Sequence, residues 1–295
     1  MKNLVMTIGV FDGVHRGHQK IFQKVAHCAK EHSGKSLAYT FDPHPARILV
    51  PESCPPMIMT QRQKRAAILA NGIDRVVVQK FTPAFSRLSA QDFFDRILLR
   101  QIRPQEIFVG YNFTFGYHRG GTVETLEAMG KKAGIRVTVV EPFLWKEMLV
   151  SSTQIRSLLS KGQISQATEL LGKPYRMTGK VVGGRGLGGK ILGIPTANLR
   201  SENDLILPVG VYATLTILGK KSHPSVTNIG RNPTFGPRTL SIETHILNFQ
   251  KKILGHQMEI EFVERIRDEI PFSSPRELSQ QIQNDIHSTK KILKV

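Results

Sequence analysis

Near its amino end the chain reads Gly9-Val10-Phe11-Asp12-Gly13-Val14-His15-Arg16-Gly17-His18, directly behind the apolar run Leu4–Ile8. A helical apolar pattern follows at Ile21, Phe22, Val25, Ala26 and Ala29. Apolar run, glycines and 3.6-residue periodicity predict strand, tight turn and helix. Such a turn aims the N–H groups of a helix start at whatever sits above the strand end, which attracts anions and phosphate above all. His15 and His18 flank Gly17, where the missing side chain allows close approach to the backbone. Two imidazoles facing a phosphate would stabilise the charge that develops at phosphorus during nucleotidyl transfer. A lone H-x-G-H string more often only caps a helix, but its position in the first strand-to-helix turn favours the chemical reading.

Further candidates lie downstream. Asp42-Pro43-His44-Pro45 is either a rigid loop fixed by two prolines or a ligand contact. Tyr111-Asn112-Phe113-Thr114-Phe115-Gly116 offers an amide and rings suited to a flat heterocycle, although phenylalanines are as often core. In Ser151-Ser152-Thr153-Gln154-Ile155-Arg156, Arg156 lies one turn beyond Ser152 and Thr153 on the same helical face, so the three can share one phosphate. Between Val181 and Lys190 five glycines gather. Gly184, Gly186 and Gly189 fit G-x-G-x-x-G, yet Gly193 and Pro195 prevent the helix that string needs. Nor is it a P-loop, because Ile191 stands where a hydroxyl must reach the metal. What remains is a glycine flap whose main-chain amides, with Lys190, cover phosphates. Pro195-Thr196-Ala197-Asn198 then sets two hard oxygen donors, Thr196 and Asn198, at strand spacing, a set suited to Mg²⁺ with phosphates and water. Glu243 interrupts the apolar run Ile242–Phe249, either as a solvent-facing carboxylate or as a general base.

These residues need scaffolding. Runs at Leu4–Ile8, Ser36–Phe41, Arg75–Lys80, Glu106–Gly110 and Ile135–Val140 predict strands. Helices follow Arg16, Thr60, Ser89 (to about Leu99) and Thr122, two of them stopped at Gly72 and Gly134. That alternation predicts a parallel sheet covered on both faces, with ligands beyond the strands' carboxyl ends. Asp12–His18, Asp42–Pro45 and Tyr111–Gly116 should therefore converge. After two helical stretches, Thr153–Ser160 and Ser165–Leu171, the pattern changes near Lys173. Gly210–Leu218, Ser225–Ile229, Ile242–Phe249 and Met258–Ile266 predict an antiparallel barrel, followed by a helix from Pro275.

At 295 residues the chain accommodates two cores, expected at 1–172 and 173–295. No run is long enough to cross a bilayer, and Cys28 and Cys54 make no disulfide framework, so the expectation is a cytoplasmic protein. The net charge of +18 is spread evenly: 23 Lys and Arg against 13 Asp and Glu in 1–172, and 18 against 10 in 173–295. Without a basic arm or reader motif this favours attraction of polyphosphate ligands over sequence-specific nucleic-acid binding.

G-x-F-D-G-x-H-x-G-H, F-D-P-H-P, N-F-T-F-G and S-S-T-Q-I-R, in this order, resemble the adenylyltransferase module of bifunctional prokaryotic FAD synthetases, within the nucleotidylyltransferase superfamily. G-x-x-x-G-x-x-L-G-x-P-T-A-N, P-x-G-V-Y-A, N-I-G-x-x-P-T-F and I-E-T-H resemble that family's riboflavin kinase module. The resemblance implies an α/β Rossmann-like nucleotidylyltransferase domain followed by a mostly antiparallel β-barrel kinase domain with a C-terminal helix. It implies ATP contacts at Gly9, Phe11, Asp12, Gly13, Ser152 and Thr153, catalysis by His15, His18 and Arg156, and flavin contacts at Asn112, Phe113 and Phe115. In the kinase half it implies ATP contacts at Gly184, Gly186, Gly189 and Lys190, Mg²⁺ on Thr196 and Asn198, and Glu243 as base. Asn112 stands where many relatives have Asp, and Lys190, Ile194 and Asn232 depart from the usual Arg, Phe and Arg.

The expected activity is ATP-dependent phosphorylation of riboflavin to FMN, then adenylylation of FMN to FAD with release of pyrophosphate. Partners are these small molecules, with no specific nucleic acid and no membrane, for a monomer or weak homo-oligomer. The alternatives are another H-x-G-H adenylyltransferase, or a non-catalytic nucleic-acid-binding protein.

Overall fold

The computed structural model describes residues 3–184, 194–205, 207–231 and 240–295. It divides into two units, Met1–Ser152 and Thr153–Val295.

In the first unit β1 (Leu4–Ile8), β2 (Lys35–Asp42), β3 (Arg75–Lys80), β4 (Glu106–Gly110) and β5 (Arg136–Val140) form one sheet in the order β3-β2-β1-β4-β5. Every pairing is parallel. The central strand β1 is buried at all five positions. Because side chains alternate across a strand, Leu4, Met6 and Ile8 enter one core with Phe93, Leu98 and Leu126. Val5 enters the other, with Phe22, Val25 and Ile68. The helices of this unit are α1 (Arg16–Glu31), α2 (Pro45–Leu49), α3 (Gln61–Ala70), α4 (Pro83–Ser86), α5 (Ala90–Asp92) and α6 (Val123–Ala133), of which α1, α3 and α6 pack on the sheet. The chain leaves β1 toward β2 on one side and later returns to β4 on the other. The strand order thus reverses beside β1, where open α/β sheets form a crevice.

Two local features depart from the sequence reading. Ser89 does open a helix, accepting the Asp92 N–H on its hydroxyl at 2.9 Å, but after α5 the chain winds as a π-helix over Phe93–Ile102. Its buried residues are Phe93, Phe94, Ile97 and Leu98, a spacing that lies on one face of either winding, so the pattern cannot distinguish them. The second is a hairpin, β6 (Leu144–Trp145) and β7 (Met148–Leu149), turned through left-handed Lys146 and Glu147. Two-residue strands leave no periodicity to read.

In the second unit α7 (Ser152–Ser160, begun at the last residue of the first) and α8 (Ile164–Leu171) precede a closed antiparallel barrel. Its strands are β8 (Tyr175–Val182), β9 (Ala197–Ser201), β10 (Gly210–Leu218), β11 (Lys221–Arg231), β12 (Leu240–Ile246) and β13 (Gln257–Arg267), ordered β10-β11-β12-β9-β8-β13. The interior combines Tyr175, Met177, Tyr212 and Phe262 with fully buried hydroxyls. Those hydroxyls satisfy one another: Thr214 with Ser225 at 2.9 Å and with Thr227 at 2.8 Å, and Thr227 with Thr244 at 2.9 Å.

The terminal helix α9 (Pro275–Leu293) buries Asp285 and Thr289 most deeply. The Asp285 carboxylate takes both arms of the Arg267 guanidinium, at 2.9 and 2.7 Å. Asp285→Ala would strand a largely buried guanidinium and should cost about 3–5 kcal/mol. In chemical denaturation the paired change Arg267→Met/Asp285→Leu should recover most of that loss. A double variant no more stable than Asp285→Ala would show that the helix is anchored otherwise.

Candidate active sites

The chain passes from β1 into α1 through a strained turn, with positive φ at Phe11, Gly13 and Val14. A side chain at Gly9 would collide with the Phe11 ring at 2.7 Å. His15 caps α1, its Nδ1 accepting the His18 backbone N–H at 3.4 Å. An accepting Nδ1 carries no proton, so the neutral ring presents Nε2–H. The two imidazoles stack with centroids 3.6 Å apart, and the Phe11 edge meets His18 at 5.2 Å. A Cβ at Gly17 would lie 3.2 Å from the His15 ring; that glycine therefore makes room for the imidazole. Burial, then the neighbouring His15 and Lys64, push the His18 pKa well below its usual value. Its Nδ1 is buried and has no hydrogen-bond partner among the described residues.

Neighbouring segments tie into this turn. The Asp12 carboxylate accepts the backbone N–H groups of Ile58 and Met59, at 3.0–3.2 Å, so Asp12 fixes the 58–59 loop. Ser152 donates its hydroxyl to the Asp12 carbonyl at 2.8 Å. Thr153 is exposed and Arg156 half-buried on the following turn of α7. Of the aromatic segment after β4, Phe115 is core, packed on Phe93. Phe113 stacks on Phe115 at 5.6 Å, and Asn112 is exposed above the strand end. His44 caps α2 by accepting the Ala46 N–H at 3.0 Å.

The barrel brings together a second set. Antiparallel register sets Glu243 opposite Asn198 of β9 and opposite Asn228 of β11. Residues directly opposite share a face, so Asn198, Glu243 and Asn228 stand abreast on three adjacent strands. The alternate residue, Thr244, points into the barrel. Thr196 precedes β9 by one residue and is exposed. His245 Nδ1 lies 2.8 Å from the Pro195 carbonyl, which fixes the turn carrying Thr196. A Cβ on Gly184 would fall 2.1 Å from Asn198 Nδ2, so a side chain there would have to push the Asn198 amide aside. Gly186, Gly189, Lys190 and Asn232 lie outside the described residues.

Residues 1–154 match the family model described as FAD synthetase, and residues 171–293 that described as riboflavin kinase. Bifunctional riboflavin kinase/FMN adenylyltransferases of Pseudomonas fluorescens and Escherichia coli (strain K12) are 34% and 32% identical to the chain, over 98% and 95% of it and 93% and 90% of their own lengths. The chain belongs to the bifunctional riboflavin kinase/FMN adenylyltransferase family. This family explains why an H-x-G-H sheet precedes a P-T-A-N barrel, which a single-module adenylyltransferase would not. A solved structure titled macrolide-efflux protein, from Streptococcus pneumoniae, is similar at TM-score 0.88 and 27% identity, over 98% of this chain and 95% of that one. The efflux title describes that protein; here no described helix is long and apolar enough to cross a membrane.

Three residues escaped the sequence reading. Lys64 is buried, its ammonium donating to the carbonyls of Val10 at 3.1 Å and Phe41 at 3.2 Å. Burial lowers its pKa, while Asp12 and Asp42 oppose that shift. Its signal was present: a lysine four residues before buried Ile68 lies on the inner face of α3. Trp145 lies under the Arg16 guanidinium at 4.4 Å, and Asn228 is legible only once register is known.

Below about pH 6.5 the unfolded chain binds a proton at residue 18 that the folded chain refuses. Stability tied to His18 is therefore present above that pH and lost as pH falls toward the depressed folded value, by up to about 1.4 kcal/mol per unit. Between pH 6.5 and 5.5 the wild type should lose more denaturation free energy than His18→Asn. Equal losses would mean that His18 titrates normally.

Proposed function

We propose that the chain makes FAD from riboflavin in two ATP-dependent steps: its barrel half phosphorylates riboflavin to FMN, and its sheet half joins AMP to FMN with release of pyrophosphate. The observation that carries this reading is the pair of separate donor sets, a neutral imidazole pair at a helix start and an Asn–Glu–Asn row on the barrel, each in a half matching one module of the family. The functional halves divide near residue 173.

In the sheet half, an FMN phosphate oxygen attacks the α-phosphorus of ATP and pyrophosphate leaves. His15 and His18 donate N–H groups to the phosphate oxygens, and their donation strengthens as charge builds on them. Neutral rings keep ATP binding from being dominated by fixed charge, so more of their effect falls on the transition state. Gly9 and Gly13 shape the turn, Phe11 and Asp12 hold it, and Ser152, Thr153 and Arg156 contact the phosphates. Asn112 and Phe113 face the flavin, backed by Phe115.

In the barrel half Glu243 accepts the proton of the riboflavin 5′-hydroxyl, whose oxygen attacks the γ-phosphorus while ADP leaves. Asn228, abreast of Glu243, orients its carboxylate. Thr196 and Asn198, neutral oxygen donors beside that carboxylate, suit Mg²⁺ and would hold it. Held there, the ion would supply charge neutralisation for the phosphates. Gly184, and in the sequence Gly186, Gly189 and Lys190, are the ATP contacts that the family resemblance assigns to this half. The half-buried free thiols Cys28 and Cys54 fit a reducing, cytoplasmic setting.

The two sites should fail separately. His18→Ala should slow conversion of supplied FMN to FAD by roughly 10²–10³-fold and leave FMN formation intact. Glu243→Gln should do the reverse, lowering kinase kcat with little change in ATP affinity and without rescue by added Mg²⁺. Product separation over time, starting from riboflavin or from FMN, reads both. Parallel loss of both activities in either variant would assign the residue a structural role.

A further inference from the structure

Helix α1 starts at the nucleotide turn and ends at the opposite, amino edge of the sheet. There Cys28 and His32, one helical turn apart, meet Glu106, the first residue of β4. Their ligand atoms all lie within 4.8 Å of one another. We infer that Cys28, His32 and Glu106 form a binding site for a divalent cation of the zinc class.

The geometry is close to what such an ion needs. Zinc bonds of about 2.3 Å to sulfur and about 2.0–2.2 Å to nitrogen or oxygen give a tetrahedron whose donor edges are roughly 3.3–3.6 Å. The Cys28 Sγ to Glu106 Oε2 edge is already 3.4 Å. His32 is exposed, so its ring can close the remaining ångström or so by side-chain rotation. Glu106 is 5% exposed, and its other oxygen accepts the Thr138 hydroxyl at 2.7 Å, the kind of outer contact that orients a ligating carboxylate. Arg136 reaches the Cys28-facing oxygen at 3.4 Å from a side chain that is 70% exposed, and can turn into solvent when a cation replaces it.

A sulfur, nitrogen and oxygen set selects zinc-like ions over Mg²⁺, so this site is chemically distinct from the kinase donors Thr196 and Asn198. Three protein ligands leave a fourth position for water, as in exchangeable sites. The bound ion would tie the end of the helix that presents His15 and His18 to the central part of the sheet. Without it, the thiol simply donates to a buried carboxylate.

The test is titration of the full-length, tag-free chain with Zn²⁺ in competition with a chromophoric chelator, and separately with Co²⁺. One Zn²⁺ per chain is expected, with affinity at least tenfold weaker in Cys28→Ser and in His32→Ala and unchanged in Cys54→Ser. Co²⁺ should give a thiolate charge-transfer band that is lost in Cys28→Ser alone of the two cysteine variants. Because His32 is exposed, its variant tests ligation without disturbing the core. No binding by the wild type, or equal binding by wild type and Cys28→Ser, would overturn the proposal.

Discussion

At the carboxyl ends of β1 and β2 the carbonyls of Val10 and Phe41 are both held by one buried ammonium, that of Lys64. A cation so placed must be balanced, and Asp12 and Asp42 lie near enough to favour its charge. Asp12 in turn fixes the backbone of Ile58 and Met59, at the entrance to the helix that carries Lys64. The loop leaving β1 is thereby held from below at the point where its φ angles are strained. Strain of this kind persists only where surrounding contacts over-determine the backbone.

The same lysine shapes the chemistry above it. Its charge adds to burial and to His15 in keeping His18 unprotonated. Two imidazoles stacked at 3.6 Å would repel if both were charged, and the cap hydrogen bond needs a bare Nδ1 on His15. Packing, capping and electrostatics therefore agree on one protonation state. That state leaves each ring an N–H to donate.

The barrel separates its tasks across the two faces of one strand. Thr244 joins the hydroxyl network that fills the interior, while neighbouring Glu243 stands outside between Asn198 and Asn228. A slip of one residue would exchange them, placing a carboxylate in the core. The interior hydroxyl pairs of Thr214, Ser225, Thr227 and Thr244 specify that register, because each donor finds its acceptor only in this alignment. Folding the core correctly and presenting Glu243 beside Asn198 and Asn228 are thus one requirement.

Much of this was legible in the order of residues. The apolar run, glycines and helical period around His15 and His18 define their strand–turn–helix, since those preferences act within a few residues. Alternating signals gave a parallel sheet, and period-two runs beyond Lys173 gave a barrel, because each element must bury one face. Sequence left undecided whether Phe115 was pocket or core, and did not show that the Asp12 carboxylate takes the Ile58 and Met59 N–H groups. It concealed Lys64's two carbonyls, the π-winding after Asp92 and the partnership of Glu243 with Asn228. Each of these depends on groups tens of residues apart, brought together by strand order and register. Local sequence fixes which backbone conformations are cheap; only the assembled sheet and barrel fix which side chains meet.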